Sequence, residues 1–119
     1  MDEKLSWVYM TCGSLDEARK LGQVLLEKNL AACVNILDGM RSLYRWEGAV
    51  QEDQETVLIA KTRHELMDEL TETIKSNHSY ECPCIIELQI DGGNPEYLEW
   101  IVSETKGGSK NRTDQKSQN

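Results

Sequence analysis

The 119-residue sequence contains no run of about 18 consecutive apolar residues, so no segment reads as a membrane-spanning helix. Positive charge is also scarce. Thirteen Lys and Arg face 21 Asp and Glu, a net charge of −8, and so acidic a surface repels a phosphate backbone or an anionic membrane. Met1-Asp2-Glu3-Lys4 lacks the basic flank of a secretory signal, and the expectation is a soluble, cytoplasmic protein. In that setting Cys12, Cys33, Cys82 and Cys84 are expected as free thiols, because a chain of this length builds a core without staples. No glycine-rich phosphate loop follows a strand, and no serine or cysteine is paired by sequence logic with a histidine. An enzymatic reading therefore finds little support, and a non-enzymatic protein is expected.

What is present is an alternation of short elements. Leu5 to Met10, "LSWVYM", has the aromatic and apolar content of a strand. Ser14 can cap a following helix, with Glu17 completing a capping box, and Leu15, Ala18, Leu21, Gly22, Leu25 and Leu26 recur at helical spacing as far as Lys28. Gly22 inside that stripe costs up to about 1 kcal/mol in propensity, which predicts close packing against a neighbouring backbone. Cys33 to Trp46 reads as one long strand bulged at Asp38-Gly39, with the reversal at Glu47-Gly48 and a partner strand strongest over Thr56 to Thr62. A second helix is predicted from Arg63 to about Ser76. "CIIELQI" then reads as a buried strand, and Pro95 opens a short helix through Tyr97, Leu98, Trp100 and Ile101. Residues 1–104 are thus expected as a single domain. Residues 105–119 have no apolar side chain and the composition of a disordered tail.

The order strand, helix, strand, strand, helix, strand, helix implies a ferredoxin-like α+β sandwich, βαββαβ with a short C-terminal helix, its antiparallel sheet carrying two helices on one face. The other face is left uncovered. Leu43, Tyr44, Trp46, Val57 and Ile59 are expected to lie exposed in one chain and to be covered by other subunits.

The segment "SNHSYECPCIIELQI" concentrates the polar chemistry. His78, Cys82 and Cys84 are competent ligands for soft or borderline metals, but Cys82-Pro83-Cys84 lacks both the spacing and the second pair of a structural zinc site. A redox dithiol fits no better, since a strand follows where a helix N-terminus would lower a thiol pKa. The two cysteines read as small apolar side chains leading into a strand. His78, Tyr80 and Glu81 belong on a loop, where binding groups tend to lie, and Lys61, Glu52 and Glu55 are placed to sit near it.

Five segments together, "LLEKNLAACVNIL", "GMRSLYRWEGAV", "ETVLIAKT", "HSYECPCII" and "YLEWI", resemble the CutA family of divalent-cation tolerance proteins over residues 7 to 101. The resemblance implies a tight homotrimer with hairpins pairing between subunits, similar in shape to PII signalling trimers. It implies an intersubunit pocket onto which Cys33, Tyr44, Trp46, Lys61, His78, Tyr80 and Glu81 map. It further implies a non-enzymatic role in tolerance to copper or another divalent metal, with no obligatory cofactor, and in animals an anchoring role for a cholinesterase. His78 and, as a thioether for Cu(I), Met10 are the metal-ligand candidates. The chain departs from some bacterial members of the family where Met10 stands for a cysteine and Asn77 for a second histidine, and from the family where Ser79 replaces a proline and an acidic residue common near Pro83 gives way to Cys84. Two alternatives stand beside metal binding. One is a PII-like sensor holding a small anionic metabolite against Lys61, and the other is a structural or anchoring trimer.

Overall fold

The computed structural model describes residues 3–108. Strand β1 (Leu5–Cys12) leads into helix α1 (Leu15–Glu27), and β2 (Cys33–Trp46) and β3 (Ala49–Arg63) form a long hairpin. A 3-10 turn (His64–Leu66) then runs into α2 (Met67–Asn77), followed by β4 (Ile85–Ile90) and α3 (Pro95–Ser103). The sheet order is β2-β3-β1-β4 with every neighbour antiparallel, the ferredoxin-like arrangement that the element order implies.

Local chemistry sets the ends of α1. The Ser14 hydroxyl accepts the Glu17 N–H at 3.1 Å, capping the first turn. The helix stops without a glycine because Asn29 takes the left-handed conformation (φ 58°). Leu30 N–H then bonds Leu25 O at 2.9 Å and Asn29 N–H bonds Leu26 O at 3.1 Å, while Leu25 and Leu30 bury together.

Alternation along the strands divides the sheet into two faces. Val8, Met10, Cys12, Leu58 and Ala60 point toward α1 and α2 and build the main core with Leu21, Leu25, Leu70 and Ile74. Gly22 lies where a Cβ would sit 3.0 Å from Val34 Cγ2 and 3.5 Å from Leu58 Cδ1. The close packing that Gly22 permits is therefore against side chains of β2 and β3 rather than against a backbone.

The opposite face is not wholly bare. Leu5 and Ile90 are covered by Leu98, Trp100, Ile101 and Val102 of α3. Val57, expected to be exposed, is only 6% accessible. Conversely β4, expected to be buried, is an edge strand whose Ile86 and Leu88 are each 50% exposed, because they point to the part of that face that α3 does not reach. Residues 105 and 106, expected to belong to a disordered tail, are tied to the domain. Thr105 is buried and accepts Arg63 Nε–H at 2.9 Å, and Lys106 N–H bonds Asn29 O at 2.7 Å. Residues 109–119 lie outside the described residues.

The long hairpin carries its bulge where the sequence places it, between Leu37 and Met40. Asp38 Oδ1 holds the kink by accepting Gly39 N–H at 2.8 Å and the Thr56 hydroxyl at 2.9 Å. Register resumes at Met40 opposite Glu55 and runs to Trp46 opposite Ala49. The turn residues Glu47 (φ 50°) and Gly48 (φ 82°) both have positive φ, the signature of a two-residue type I′ reversal. This arm beyond the bulge gives the molecule its 53 Å length against 26 and 24 Å across.

Candidate functional site

Three chain segments meet where β1 ends. Cys12 is the last residue of β1, Glu17 lies in the first turn of α1, and His78 follows directly on α2. Glu17 does not close the expected capping box onto Ser14. One of its carboxylate oxygens accepts Gly13 N–H at 3.0 Å, and the other accepts Ser79 N–H at 2.7 Å and faces His78 Nδ1 at 3.6 Å. Burial alone would raise the Glu17 carboxyl, but the Gly13 and Ser79 N–H groups and the Ser79 side chain outweigh it and hold the group below the usual range. The Glu17 side chain thereby ties the 78–80 loop to the start of α1.

The His78 side chain is fully buried. Its Nδ1 accepts Tyr80 N–H at 3.0 Å, which assigns the proton to Nε2, and Nε2–H donates to Thr11 O at 2.8 Å. Cys12 is also inaccessible, and burial first, then the charges of Glu17 and Glu55, push its thiol up to about 12. The Cys12 Sγ, one Glu17 oxygen and one His78 nitrogen all lie within 4.8 Å of one another. A sulfur, an oxygen and a nitrogen at this spacing form a mixed donor set suited to borderline or soft cations.

Tyr80 forms the outer wall. Its ring is 4.7 Å from the His78 ring, tilted by 48°, and it closes on Gly13. The Tyr80 hydroxyl donates to one oxygen of Glu55 at 2.9 Å, and the Ser42 hydroxyl donates to the other at 2.6 Å. Burial, and next the bond to Glu55, raise the Tyr80 phenol, so the hydroxyl keeps its proton and remains a donor.

Of the residues expected to share one pocket, a single chain brings together His78 with Tyr80 and, separately, Cys33 with Lys61. Cys33 and Lys61 face each other across β2 and β3. The Lys61 ammonium is 3.3 Å from the Tyr97 hydroxyl and 5.4 Å from the centre of its ring. Tyr44 and Trp46 stand near the tip of the arm, with the Tyr44 hydroxyl bonded to Asp53, and Glu81 is exposed on the loop. Met10 packs inside the main core, which gives it a filling role. Cys12 and Glu17 were not legible as site residues. Cys12 read as a free thiol at a strand end and Glu17 as a helix cap, and the one available signal was their five-residue separation around the capped loop.

Residues 6–104 match the family model described as CutA1 divalent ion tolerance protein. Protein CutA 1, chloroplastic, of Oryza sativa is 48% identical over 99 residues, covering 83% of this chain and 56% of that protein. The chloroplastic CutA of Arabidopsis thaliana is 46% identical over 99 residues, with 83% of this chain and 54% of that protein covered. The chain thus spans about half the length of these two plant relatives. It spans 95% of the divalent-cation tolerance protein CutA of Thermus thermophilus, which is 45% identical over 98 residues, 82% of this chain. Among solved structures, CutA1 from Oryza sativa superposes with a TM-score of 0.86 at 45% identity, covering 87% of this chain and 95% of that one. The Thermus thermophilus protein gives 0.84 at 43% identity, covering 86% and 99%.

Proposed function

The chain belongs to the CutA1 divalent ion tolerance family, and from that membership we propose a non-catalytic, trimeric binding protein that holds a borderline or soft cation, copper or zinc, at Cys12, Glu17 and His78. One observation carries the reading: the three ligand atoms lie within 4.8 Å of one another. The histidine is already arranged as metal ligands usually are. Its Nε2–H is fixed by the Thr11 carbonyl, and its Nδ1, which accepts Tyr80 N–H, lies 3.6 Å from the Glu17 carboxylate. A cation there would take the place of the Tyr80 N–H and of the Cys12 proton, supplying the charge that makes the thiolate stable in a buried position.

Competition titration of Zn(II) and Cu(I) into the reduced full chain, against a chromophoric chelator, tests the assignment. One tight site per chain is expected, weakened at least about tenfold in His78→Ala, in line with the loss of a metal ligand or its support. Binding that is absent, or identical in that variant, contradicts it. Met10→Leu is expected to leave the affinity unchanged, since Met10 is a core residue.

A second reading rests on Lys61. Among the described residues its ammonium has no carboxylate partner and rests only against Tyr97, which leaves a cation available to a small anionic metabolite. Thermal-shift screening with nucleotides and small acids separates this reading from the first, because a ligand of the folded state raises Tm by mass action. A stabilising anion whose effect survives Lys61→Met would remove it.

A further inference from the structure

We infer that Glu55, at the root of the hairpin arm, latches Tyr80 over the cation site and so sets how readily that site opens. The inference rests on the site proposed above but is carried by separate contacts. His78 and Cys12 are both inaccessible, and the side chain standing between them and solvent at the Gly13 end is Tyr80, whose ring lies 4.7 Å from the imidazole. Its ring edge and hydroxyl come within 3.5 Å of the space above Gly13, where a larger residue would meet them. Tyr80 is itself on an exposed loop, held at three points. Its N–H is bonded to His78, the neighbouring Ser79 N–H to Glu17, and its hydroxyl to Glu55. The first two are within the site. The third is the only one of the three that reaches the sheet.

Glu55 is fixed on its own account. The Ser42 hydroxyl holds its second oxygen at 2.6 Å, and Glu55 stands opposite Met40, the first pair in register beyond the bulge. The latch is therefore anchored where the arm begins, so that a partner bearing on the arm would act on the tyrosine through Glu55. Among the described residues Glu55 hydrogen-bonds Tyr80 and Ser42 and no donor atom of the cation site, and beyond its charge, which Glu55→Ala and Glu55→Gln remove alike and Tyr80→Phe retains, it is a positioning residue.

The measurement is access to Cys12, which requires no metal. Alkylation of the full chain by a small thiol reagent, mapped by mass spectrometry, reports Cys12 against Cys33 as an internal standard. Glu55→Ala and Tyr80→Phe are each expected to speed Cys12 labelling roughly tenfold, the scale of one hydrogen bond to a charged group, with Cys33 unchanged. The double variant is expected to add nothing further, and Glu55→Gln, which keeps an acceptor oxygen, to restore most of the protection. Cys12 labelling at the wild-type rate in both single variants overturns the latch, and so does equal acceleration of Cys33, which would indicate general loosening. Altered labelling in a protein that binds no metal leaves the latch standing and removes the cation reading. Unaltered labelling in one that binds metal does the reverse.

Discussion

At Gly22 the sign of a substitution depends on one neighbour. Alanine would improve helix propensity by up to about 1 kcal/mol, but its Cβ would lie 3.0 Å from Val34 Cγ2, and a β-branched side chain on a strand has little freedom to yield. Overpacking of this kind costs about 1–3 kcal/mol, so Gly22→Ala is expected to lower stability by roughly 1 kcal/mol net in denaturant melts. Val34→Ala should relieve the overlap and make the pair of changes non-additive, and a stabilised single variant would contradict the packing described here. The same residue shows what one sequence reveals. A glycine in an apolar stripe announces a close approach, but not whether backbone or side chain makes it. His78 and Tyr80 were legible because polar groups on a loop have few structural reasons to be there. Cys12 and Glu17 were not, because a strand-end thiol and a capping carboxylate are each fully explained by local structure. Their convergence depends on the 78–80 loop crossing back over β1, a long-range contact with no trace in local pattern.

At the scale of elements, turn chemistry was the most readable part. Asp38-Gly39 as a bulge and Glu47-Gly48 as the reversal follow from which positions accept positive φ and which side chain can hold a kink, and both are where the chain bends. The β4 strand was identified by its isoleucines but assigned the wrong environment. Apolar composition states that a strand needs cover, not which body provides it, and here α3 covers Leu5 and Ile90, sets Tyr97 against Lys61, and leaves Ile86 and Leu88 open. The face on which α3 would settle was equally hidden, since its short apolar stripe fits either side of a sheet. Likewise the last turn of the domain carries Thr105 rather than an apolar residue. A buried threonine satisfied by Arg63 and by the Ile101 and Val102 carbonyls does not register as core in a hydropathy reading.

For the whole molecule, the exposed surface is informative. Leu37, Ile86 and Leu88 on the sheet and Leu43, Trp46 and Val50 on the arm are at least half exposed, the kind of apolar surface that marks an interaction site. Among the described residues both outer strands, β2 and β4, also present unpaired edges. We propose that three copies cover these surfaces, with the arms bearing on neighbouring subunits and Glu55 at each arm's root. Light scattering at micromolar concentration is expected to give three times the chain mass, and a monomer mass would remove that proposal. In that proposal the assembly would also bring Tyr44 and Trp46 of one copy toward the Cys33–Lys61 pair of another. The cation site asks for no second copy, since Cys12, Glu17 and His78 come from the same chain.

That claim is tested most directly by X-ray absorption at the zinc edge of the reduced protein loaded with one equivalent of Zn(II). The expected first shell has one sulfur at about 2.3 Å and nitrogen or oxygen neighbours near 2.0–2.2 Å, the sulfur lost in Cys12→Ser. A shell of oxygen and nitrogen alone, or a sulfur that persists in Cys12→Ser, would contradict it.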